Sequence, residues 1–193
     1  MEYLTSKGNK NYSFAEYIVL EEASEGKNDF YHGGLFAMED GTKNHNNIVL
    51  NVGVSLRANK KPGCDIFIEG MKLEIEKEQF YVYPDLIYTC NDDLKGTGLL
   101  VKNPSIIVEV LSDSSSLRDR NIKHKYYLRN KSIQYYVLIS QKEIYVECYS
   151  RIDSSPIWKY QTFETIDGLI EFDRLGFALS LATIYDSIEF AEA

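Results

Sequence analysis

The chain has 193 residues, of which 44% are hydrophobic and 26% are charged. These values are typical of a globular protein and exclude a largely disordered chain. The length suits one domain with a full core, so we expect a single domain over residues 1–193. The formal net charge of −8 weighs against nucleic-acid binding that relies on overall charge.

Local charge matters more than the total, because salt screens charges beyond roughly 10 Å. The segment Arg118–Lys131 carries six Lys or Arg residues and one acidic residue, Asp119. Such a segment fits either a surface that faces a nucleic acid or an ordinary solvated helix face. The composition leaves both interpretations open.

The N-terminal residues show no basic-then-apolar pattern of a signal peptide, and the apolar runs are too short to cross a bilayer. We therefore expect a cytoplasmic protein. Cys64, Cys90 and Cys148 are widely spaced and form no Cys-x-x-Cys motif or Cys/His cluster. Each lies in a strand-like segment, so we expect three free, buried thiols, consistent with a reducing cytosol.

The N-terminal third of the chain is predicted to form two helices separated by a strand–turn–strand. Ser13 can cap the first helix, and Thr42 or Asn44 can cap the second. Apolar residues recur at helical spacing in both segments. The predicted elements are a helix at Phe14–Ala23, a hairpin at Asp29–Met38 and a second helix that ends near Ala58.

The rest of the chain is rich in strand patterns. Ser116 lies three residues before Asp119, a capping-box spacing, and predicts a helix that ends near Asn130. Strands mixed with flanking helices indicate an α/β or α+β fold with a mixed sheet. The predicted strands are Cys64–Glu69, Met71–Glu76, Phe80–Cys90 (interrupted by Pro84), Ser105–Leu111, Gln134–Ser140, Glu143–Arg151, Trp158–Thr165 and Leu169–Phe172, followed by a short helix around Leu181–Phe190.

Two carboxylates stand out against this pattern. Glu109 interrupts the apolar strand Ser105–Leu111, and burial of an ionised carboxylate is costly unless it is paired or binds a metal. An outward orientation on an edge strand, or a pair with arginine, also fits Glu109. Asp85 follows Pro84, which lacks an N–H and interrupts strand pairing, although Pro-Asp is also a common turn. If the two carboxylates meet, they could hold Mg²⁺ with water and substrate phosphate.

A basic residue follows these carboxylates. Asp119, Lys123 and Tyr127 repeat at positions i, i+4 and i+8 and share one helix face. Lys123 could reach back to the two carboxylates and orient a water or offset charge on a phosphate. Helix spacing alone favours a simpler interpretation, a surface ion pair between Asp119 and Lys123 that contributes little stability.

Short motifs run in order along most of the chain, from Tyr17 to Ile184. They are Asp29-Phe30-Tyr31-His32-Gly33, Ala37-Met38, His45, Cys64, Met71-Lys72, Tyr83-Pro84-Asp85, Pro104-Ser105-Ile106-Ile107-Val108-Glu109-Val110-Leu111-Ser112, Asp119-Arg120, Lys123, Tyr127 and Tyr136-Val137-Leu138. In this order they resemble the Uma-type restriction endonucleases, a bacterial family within the PD-(D/E)xK nuclease superfamily.

The resemblance implies a restriction-endonuclease-like mixed β-sheet flanked by helices, with hydrolysis of DNA phosphodiester bonds as the activity. It implies Asp85, Glu109 and Lys123 as catalytic residues, with Asp85 and Glu109 as ligands of Mg²⁺ or Mn²⁺. The superfamily usually places its lysine two residues after the glutamate, where this chain has Leu111. The resemblance suggests that Lys123 on the next helix takes that part.

Supporting roles are implied for Asp29, His45 and Tyr127. Asp29 would assist the metal from the early strand, and His45 would contact substrate or cap a helix. The family usually has Glu-x-x-Asp-Gly-Glu in the early strand, where this chain has Asp29, His32 and Gly34. His32 and His124 carry no comparable signal, and we expect them at the surface.

Two other functions fit the same residues. The altered early motif and the acidic net charge favour a non-catalytic interaction protein that retains the nuclease fold. A metal-dependent hydrolase of another phosphate ester would use the same three side chains. We also expect a homodimer, because the family often pairs and two-fold dimers are the commonest oligomers.

Overall fold

The structure is a computed structural model that describes residues 10–38, 41–90, 94, 97–112 and 119–190. Its helices are α1 (Phe14–Ala23), α2 (Lys43–Ala58), α3 (His124–Tyr127, preceded directly by a π-helical turn at Asp119–Lys123) and α4 (Leu181–Ile184). Its strands are β1 (Asn28–Tyr31), β2 (Gly34–Ala37), β3 (Cys64–Ile68), β4 (Lys72–Glu76), β5 (Phe80–Val82), β6 (Leu86–Cys90), β7 (Leu100–Val101), β8 (Pro104–Leu111), β9 (Tyr135–Ser140), β10 (Val146–Arg151), β11 (Trp158–Phe163), β12 (Leu169–Phe172) and β13 (Phe177–Ser180). In the part of the chain that is described, no helix is long and apolar enough to cross a membrane.

The strands form two main sheets and a separate hairpin. The smaller sheet has the order β2-β1-β5-β4-β7, the larger sheet has the order β11-β10-β9-β8-β6-β3, and β12 pairs with β13. In the larger sheet β8 and β9 run parallel, whereas the other neighbours run antiparallel. This mixed sheet flanked by helices confirms the predicted fold class.

The larger sheet is covered on both faces. One face packs against Ile48, Val52 and Leu56 of α2. The other face packs against Tyr127 of α3 and against apolar residues of the smaller sheet, such as Leu73. The near-continuous apolar run of β8 is thereby explained, because a strand inside such a layer needs apolar side chains on both sides.

Alternation along β8 decides where Glu109 points. Ile106 and Val108 belong to the core beneath α2, whereas Ile107 and Leu111 belong to the core beneath α3. Successive side chains of a strand point to opposite faces. Glu109 therefore shares the face of Ile107 and Leu111, toward α3.

The caps of the first two helices follow the predicted chemistry. Ser13 Oγ accepts from the Glu16 N–H at 3.2 Å, and Glu16 Oε2 accepts from the Ser13 N–H at 2.8 Å. This reciprocal pair satisfies two N–H groups at the helix start. For α2 the cap is Thr42 and not Asn44, since Thr42 Oγ1 accepts from the His45 N–H at 3.1 Å.

The prediction of one strand at Phe80–Cys90 is wrong. The segment divides into β5 and β6, which belong to different sheets. Pro84 has no N–H to continue the ladder. The N–H of Tyr83 donates to Asp29 Oδ1 at 3.0 Å and not to a neighbouring strand backbone. The chain therefore crosses between the sheets at Tyr83-Pro84-Asp85 and leaves Asp85 at the junction.

Two predicted helix ends also differ from the structure. The helix after β8 ends at Tyr127 and not near Asn130, and its predicted cap Ser116 lies outside the described residues. Arg151 explains this end, because its guanidinium donates to the carbonyls of Leu128 and Asn130 at 3.1 and 2.7 Å. The last helix stops at Ile184, and Ser187 three residues later has a positive φ of 59°, which a right-handed helix excludes. The short strands β7 and β13 were not predicted.

The expectation of three free thiols is wrong for two of them. Cys64 and Cys90 form a disulfide, whereas Cys148 is free and buried as expected. The register of β3 and β6 places Cys64 directly opposite Cys90, with the two Cα atoms 3.9 Å apart. Such cross-strand proximity depends on sheet register, which the spacing of the cysteines does not reveal.

The cysteine pairing predicts a defined pattern of alkylation. After unfolding without a reductant, the chain should take up one iodoacetamide group, at Cys148, because Cys64 and Cys90 are bonded to each other. After reduction it should take up three. Intact-mass spectrometry measures both numbers, and Cys148→Ala should lower each by one. Uptake of three groups without reduction would contradict the disulfide.

Candidate active site

Sheet register brings the two predicted carboxylates together. Leu86 pairs with Val108 in the antiparallel ladder of β6 and β8, so the next position places Asp85 opposite Glu109. Opposed residues of an antiparallel pair project from the same face. Both side chains are buried. The Val110 N–H donates to Asp85 Oδ2 at 2.6 Å, which ties Asp85 to the end of β8.

Lys123 lies at the centre of a group of carboxylates. Its Nζ is 3.1 Å from Glu109 Oε1, 3.0 Å from Asp119 Oδ1 and 3.6 Å from Asp29 Oδ2. The expected pair of Asp119 and Lys123 is thus present, but the expectation of a surface pair is wrong because both side chains are buried. The π-helical turn brings Asp119 and Lys123 to one side, and single π-turns are frequent at functional sites.

Tyr127 completes the contacts of Glu109. Its hydroxyl donates to Glu109 Oε1 at 2.9 Å, on the same oxygen that accepts from Lys123. Burial, together with the neighbouring Glu109, raises the pKa of Tyr127 well above its usual value. The hydroxyl therefore keeps its proton and acts as a donor that holds the Glu109 carboxyl in one orientation.

Asp29 connects the two sheets at the site. Its Oδ1 accepts from the Tyr83 N–H, and its Oδ2 faces Lys123. Asp29 therefore contacts both the lysine and the backbone two residues before Asp85. The resemblance implied a supporting role for Asp29, and the structure places it where it can position Lys123 and the crossing segment.

His45 reaches the site from the first turn of α2. Its Nε2 lies 3.3 Å from Asp85 Oδ2, and its backbone N–H donates to the capping hydroxyl of Thr42. Burial lowers the pKa of His45, but the hydrogen bond and negative charge of Asp85, with Glu69 and Asp119, outweigh it, so the net pKa lies above the usual value. The other ring nitrogen, Nδ1, is buried and has no hydrogen-bond partner within the described residues.

Four buried carboxylates meet at this site. Asp29, Asp85, Glu109 and Asp119 are all buried, and Lys123 and His45 are the cations that contact them in the described residues. Burial raises the pKa of Glu109 well above its usual value, the Lys123 ammonium opposes this shift, and Asp119 and Asp85 add to it. Repulsion among neighbouring carboxylates disfavours full ionisation unless a further cation is present.

The donor chemistry fits a hard divalent cation. Among residues 10–38, 41–90, 94, 97–112 and 119–190, no three His, Cys, Asp or Glu side chains form a ready metal-binding group. An ion would therefore rest on Asp85 and Glu109 and fill its shell with water or substrate oxygens, as Mg²⁺ usually does. Asp119 Oδ1 is buried and lies 3.0 Å from Lys123 Nζ, although it has no hydrogen-bond partner within the described residues.

The burial of Asp119 was not predicted from the sequence. Helix spacing identified its pairing with Lys123, but exposed and buried pairs have the same spacing. The contact of the Val110 N–H with Asp85 was also not predicted. The remaining candidates, Asp29, His45, Asp85, Glu109, Lys123 and Tyr127, lie together in the structure, and their catalytic roles stay a prediction.

Removal of the Glu109 charge should stabilise the metal-free protein. We expect Glu109→Gln to raise the free energy of unfolding by roughly 1–2 kcal/mol at about pH 8 in EDTA, because the amide oxygen can still accept from Lys123 and Tyr127. The folded-state pKa of Glu109 is raised. The contribution of Glu109 to the free energy of unfolding is therefore fully present below its unfolded-state pKa and is lost as pH rises through its folded-state pKa. The gain should therefore be small in acid and grow with pH.

Urea unfolding across this pH range measures the effect. Glu171→Gln, at an exposed glutamate of β12, is the matched control and should change little. Destabilisation by Glu109→Gln at every pH would show that Glu109 is fully compensated as a carboxylate.

Removal of the Lys123 charge should have the opposite effect. Lys123→Met keeps most of the side-chain length but leaves Asp29, Glu109 and Asp119 without their shared cation. We expect a loss of about 3–5 kcal/mol in the free energy of unfolding at neutral pH, as for other broken buried ion pairs. Lys125→Met, at an exposed lysine two residues later, should change stability by less than about 0.5 kcal/mol. Equal effects of the two variants would contradict a buried role for Lys123.

The chain is similar in sequence or in fold to several known proteins. Two uncharacterized proteins of Synechocystis sp. are similar to the chain. The first is 30% identical over 178 residues, which is 91% of this chain and 92% of the relative. The second is 31% identical over 142 residues, which is 72% of this chain and 80% of the relative. A crystal structure from Anabaena variabilis, titled a putative nuclease belonging to DUF820, is 18% identical with a TM-score of 0.72 and covers 92% of this chain and 99% of its own.

The crystal structure is too distant in sequence to indicate more than a shared fold, and it supports the nuclease-like architecture. The family model named Uma2 and described as "Putative restriction endonuclease" matches residues 14–182. That span includes every candidate site residue. The chain belongs to the Uma2 family, as its motifs suggested.

Proposed function

We propose that this chain is a Mg²⁺- or Mn²⁺-dependent nuclease that hydrolyses phosphodiester bonds of DNA, with Asp85, Glu109 and Lys123 as its catalytic residues. The observation that supports this proposal best is the contact of Lys123 Nζ with Glu109 at 3.1 Å, beside a second carboxylate placed opposite Glu109 by register. Membership of a family described as restriction endonucleases supports the same reaction class.

Each side chain has a definable part in this reaction. Asp85 and Glu109 would hold the cation, which when bound supplies an acidified water and stabilises charge on phosphate oxygens. Lys123 would orient a water and offset the negative charge that builds up on the phosphate. Tyr127 and Asp29 hold Glu109 and Lys123 in place, and His45 holds Asp85. Such fixed orientation lowers the reorganisation needed at the moment of reaction.

Burial of the cluster favours a second candidate function, a non-catalytic protein that retains the fold. Glu109 is 3% exposed and Lys123 is 5% exposed, and the two side chains contact each other directly. In such a protein the cluster would serve as a buried ion-pair network that specifies packing. Divalent cations would then leave its stability unchanged.

A comparison of three proteins separates these functions. Wild type and Glu171→Gln should cleave plasmid or single-stranded DNA with Mn²⁺ and stop in EDTA. Glu109→Gln should cleave at least roughly 100-fold more slowly, the usual effect of removing a key electrostatic group. Mn²⁺ should also raise the melting temperature of wild type but not that of Glu109→Gln, since a ligand stabilises only the state that binds it.

Equal cleavage by wild type and Glu109→Gln would contradict the assigned residues. No cleavage and no stabilisation by Mn²⁺ would support the non-catalytic candidate. Cleavage of small phosphate diesters without cleavage of DNA would indicate a hydrolase of another phosphate ester. The homodimer stays a prediction, which sedimentation velocity at micromolar concentration tests.

A further inference from the structure

A ladder of tyrosine rings crosses the larger sheet. Tyr149 on β10 pairs in register with Tyr136 on β9 and with Tyr160 on β11. The ring centroids of Tyr136 and Tyr149 are 6.1 Å apart, and those of Tyr149 and Tyr160 are 4.8 Å apart. Tyr136 is fully buried, Tyr149 is half-buried and Tyr160 is 51% exposed. The ladder therefore leads from the core to the outer strand of the sheet.

The ladder lies on the same face of the sheet as the candidate active site. Glu109 pairs with Leu138, and Leu138 pairs with Glu147, so these positions form one row across β8, β9 and β10. Tyr136 and Tyr149 lie two residues from Leu138 and Glu147 on their strands, and residues two apart share a face. Neighbouring strands are about 4.8 Å apart, which places β10 roughly 10 Å from β8.

An arginine lies beside the exposed end of the ladder. Arg120 pairs with Glu147, which is buried, and Glu147 Oε2 also accepts from the Tyr149 hydroxyl at 3.3 Å. Glu147 therefore links Arg120 to Tyr149, whose ring centroid lies 4.8 Å from that of Tyr160. The Arg120 side chain is 39% exposed, and a guanidinium has five N–H donors in a fixed fork. Glu147 thus anchors a cation that still faces solvent.

The rings at this end are held in place. The rings of His124 and Tyr149 meet edge to face, with centroids 4.6 Å apart. His124 is half-buried, so the expectation that it lies at the surface is wrong. Burial, together with the neighbouring Tyr145, raises the pKa of Tyr160 to about 12, so its ring stays neutral at physiological pH.

Tyr160 differs from the other aromatic residues in its exposure. In the part of the chain that the structure describes, Tyr160 is the only aromatic residue among the exposed large apolar side chains. Two residues along the same face of β11, Thr162 is exposed and polar. An apolar protein partner would need a wider apolar patch than a single ring beside a threonine and an arginine. A planar ligand with an attached negative charge matches this surface better.

We propose that Tyr160, Tyr149 and Arg120 form a binding surface for an unpaired nucleotide of the substrate strand. The base stacks on Tyr160, which Tyr149 supports from behind, and Arg120 binds an adjoining phosphate. Aromatic rings stack on any base, whereas an arginine beside them supplies the charge-assisted contact to the backbone. This proposal rests on the proposed nuclease function, and it names single-stranded DNA, or duplex DNA with an unpaired segment, as the substrate class.

Equilibrium binding in EDTA tests the proposal apart from cleavage. The probe is a fluorescently labelled single-stranded oligodeoxynucleotide, followed by anisotropy, with the matching blunt duplex as comparison. Tyr160→Ala should weaken single-strand binding roughly 5- to 100-fold, the usual effect of removing one stacked aromatic. Tyr160→Phe should bind within about twofold of wild type, because it keeps the ring that stacks. Leu169→Ala, at a side chain of similar exposure (49%), should bind like wild type.

Equal single-strand affinity of wild type and Tyr160→Ala, or no single-strand binding by wild type, would overturn the proposal. An equal loss by Tyr160→Ala on single strand and blunt duplex would overturn it as well, because a paired base does not offer its face. A single-strand defect in Tyr160→Ala without cleavage by wild type would support this surface and reject the proposed hydrolysis. Metal-dependent cleavage that Tyr160→Ala leaves unchanged in kcat/KM on single strands would support the hydrolysis and reject this surface.

Discussion

The contact of one buried lysine with several buried carboxylates is the interaction on which this site depends. Lys123 joins Asp29 of the smaller sheet, Glu109 of the larger sheet and Asp119 of the π-helical turn. Because charges interact strongly where water is excluded, these contacts fix the arrangement of the three elements.

The crossing between the two sheets explains why Asp85 takes part in this cluster. Pro84 ends one ladder, the Tyr83 N–H turns to Asp29, and the chain enters the larger sheet at Leu86. Asp85 therefore lies directly before β6, at the position opposite Glu109. The same side chain meets the N-terminal turn of α2 through His45. A residue at such a junction can be reached from both sheets and one helix, which suits a metal ligand that must be held from several directions.

Part of this site could be predicted from local signals in the sequence, whereas Asp29, His45 and the role of Lys123 were implied by the family resemblance. A carboxylate inside an apolar strand and an acidic, basic and aromatic residue at helical spacing are both visible in the chain. Features that depend on strand register could not be predicted from the sequence. The Cys64–Cys90 disulfide and the alignment of tyrosines across three strands follow from strand pairing, and the burial of Asp119 follows from tertiary packing. The division of Phe80–Cys90 was signalled by Pro84, but the separation into two sheets was not.

The proposed nuclease function requires that the carboxylates of Asp85 and Glu109 share one divalent cation. A crystal grown with Mn²⁺, with diffraction recorded at the manganese absorption edge, shows whether they do. We predict one anomalous peak within roughly 2.0–2.3 Å of an oxygen of each carboxylate, with the rest of the shell made by water. A well-ordered site without any anomalous peak, or a manganese ion bound elsewhere, would contradict a metal-dependent active site at this junction.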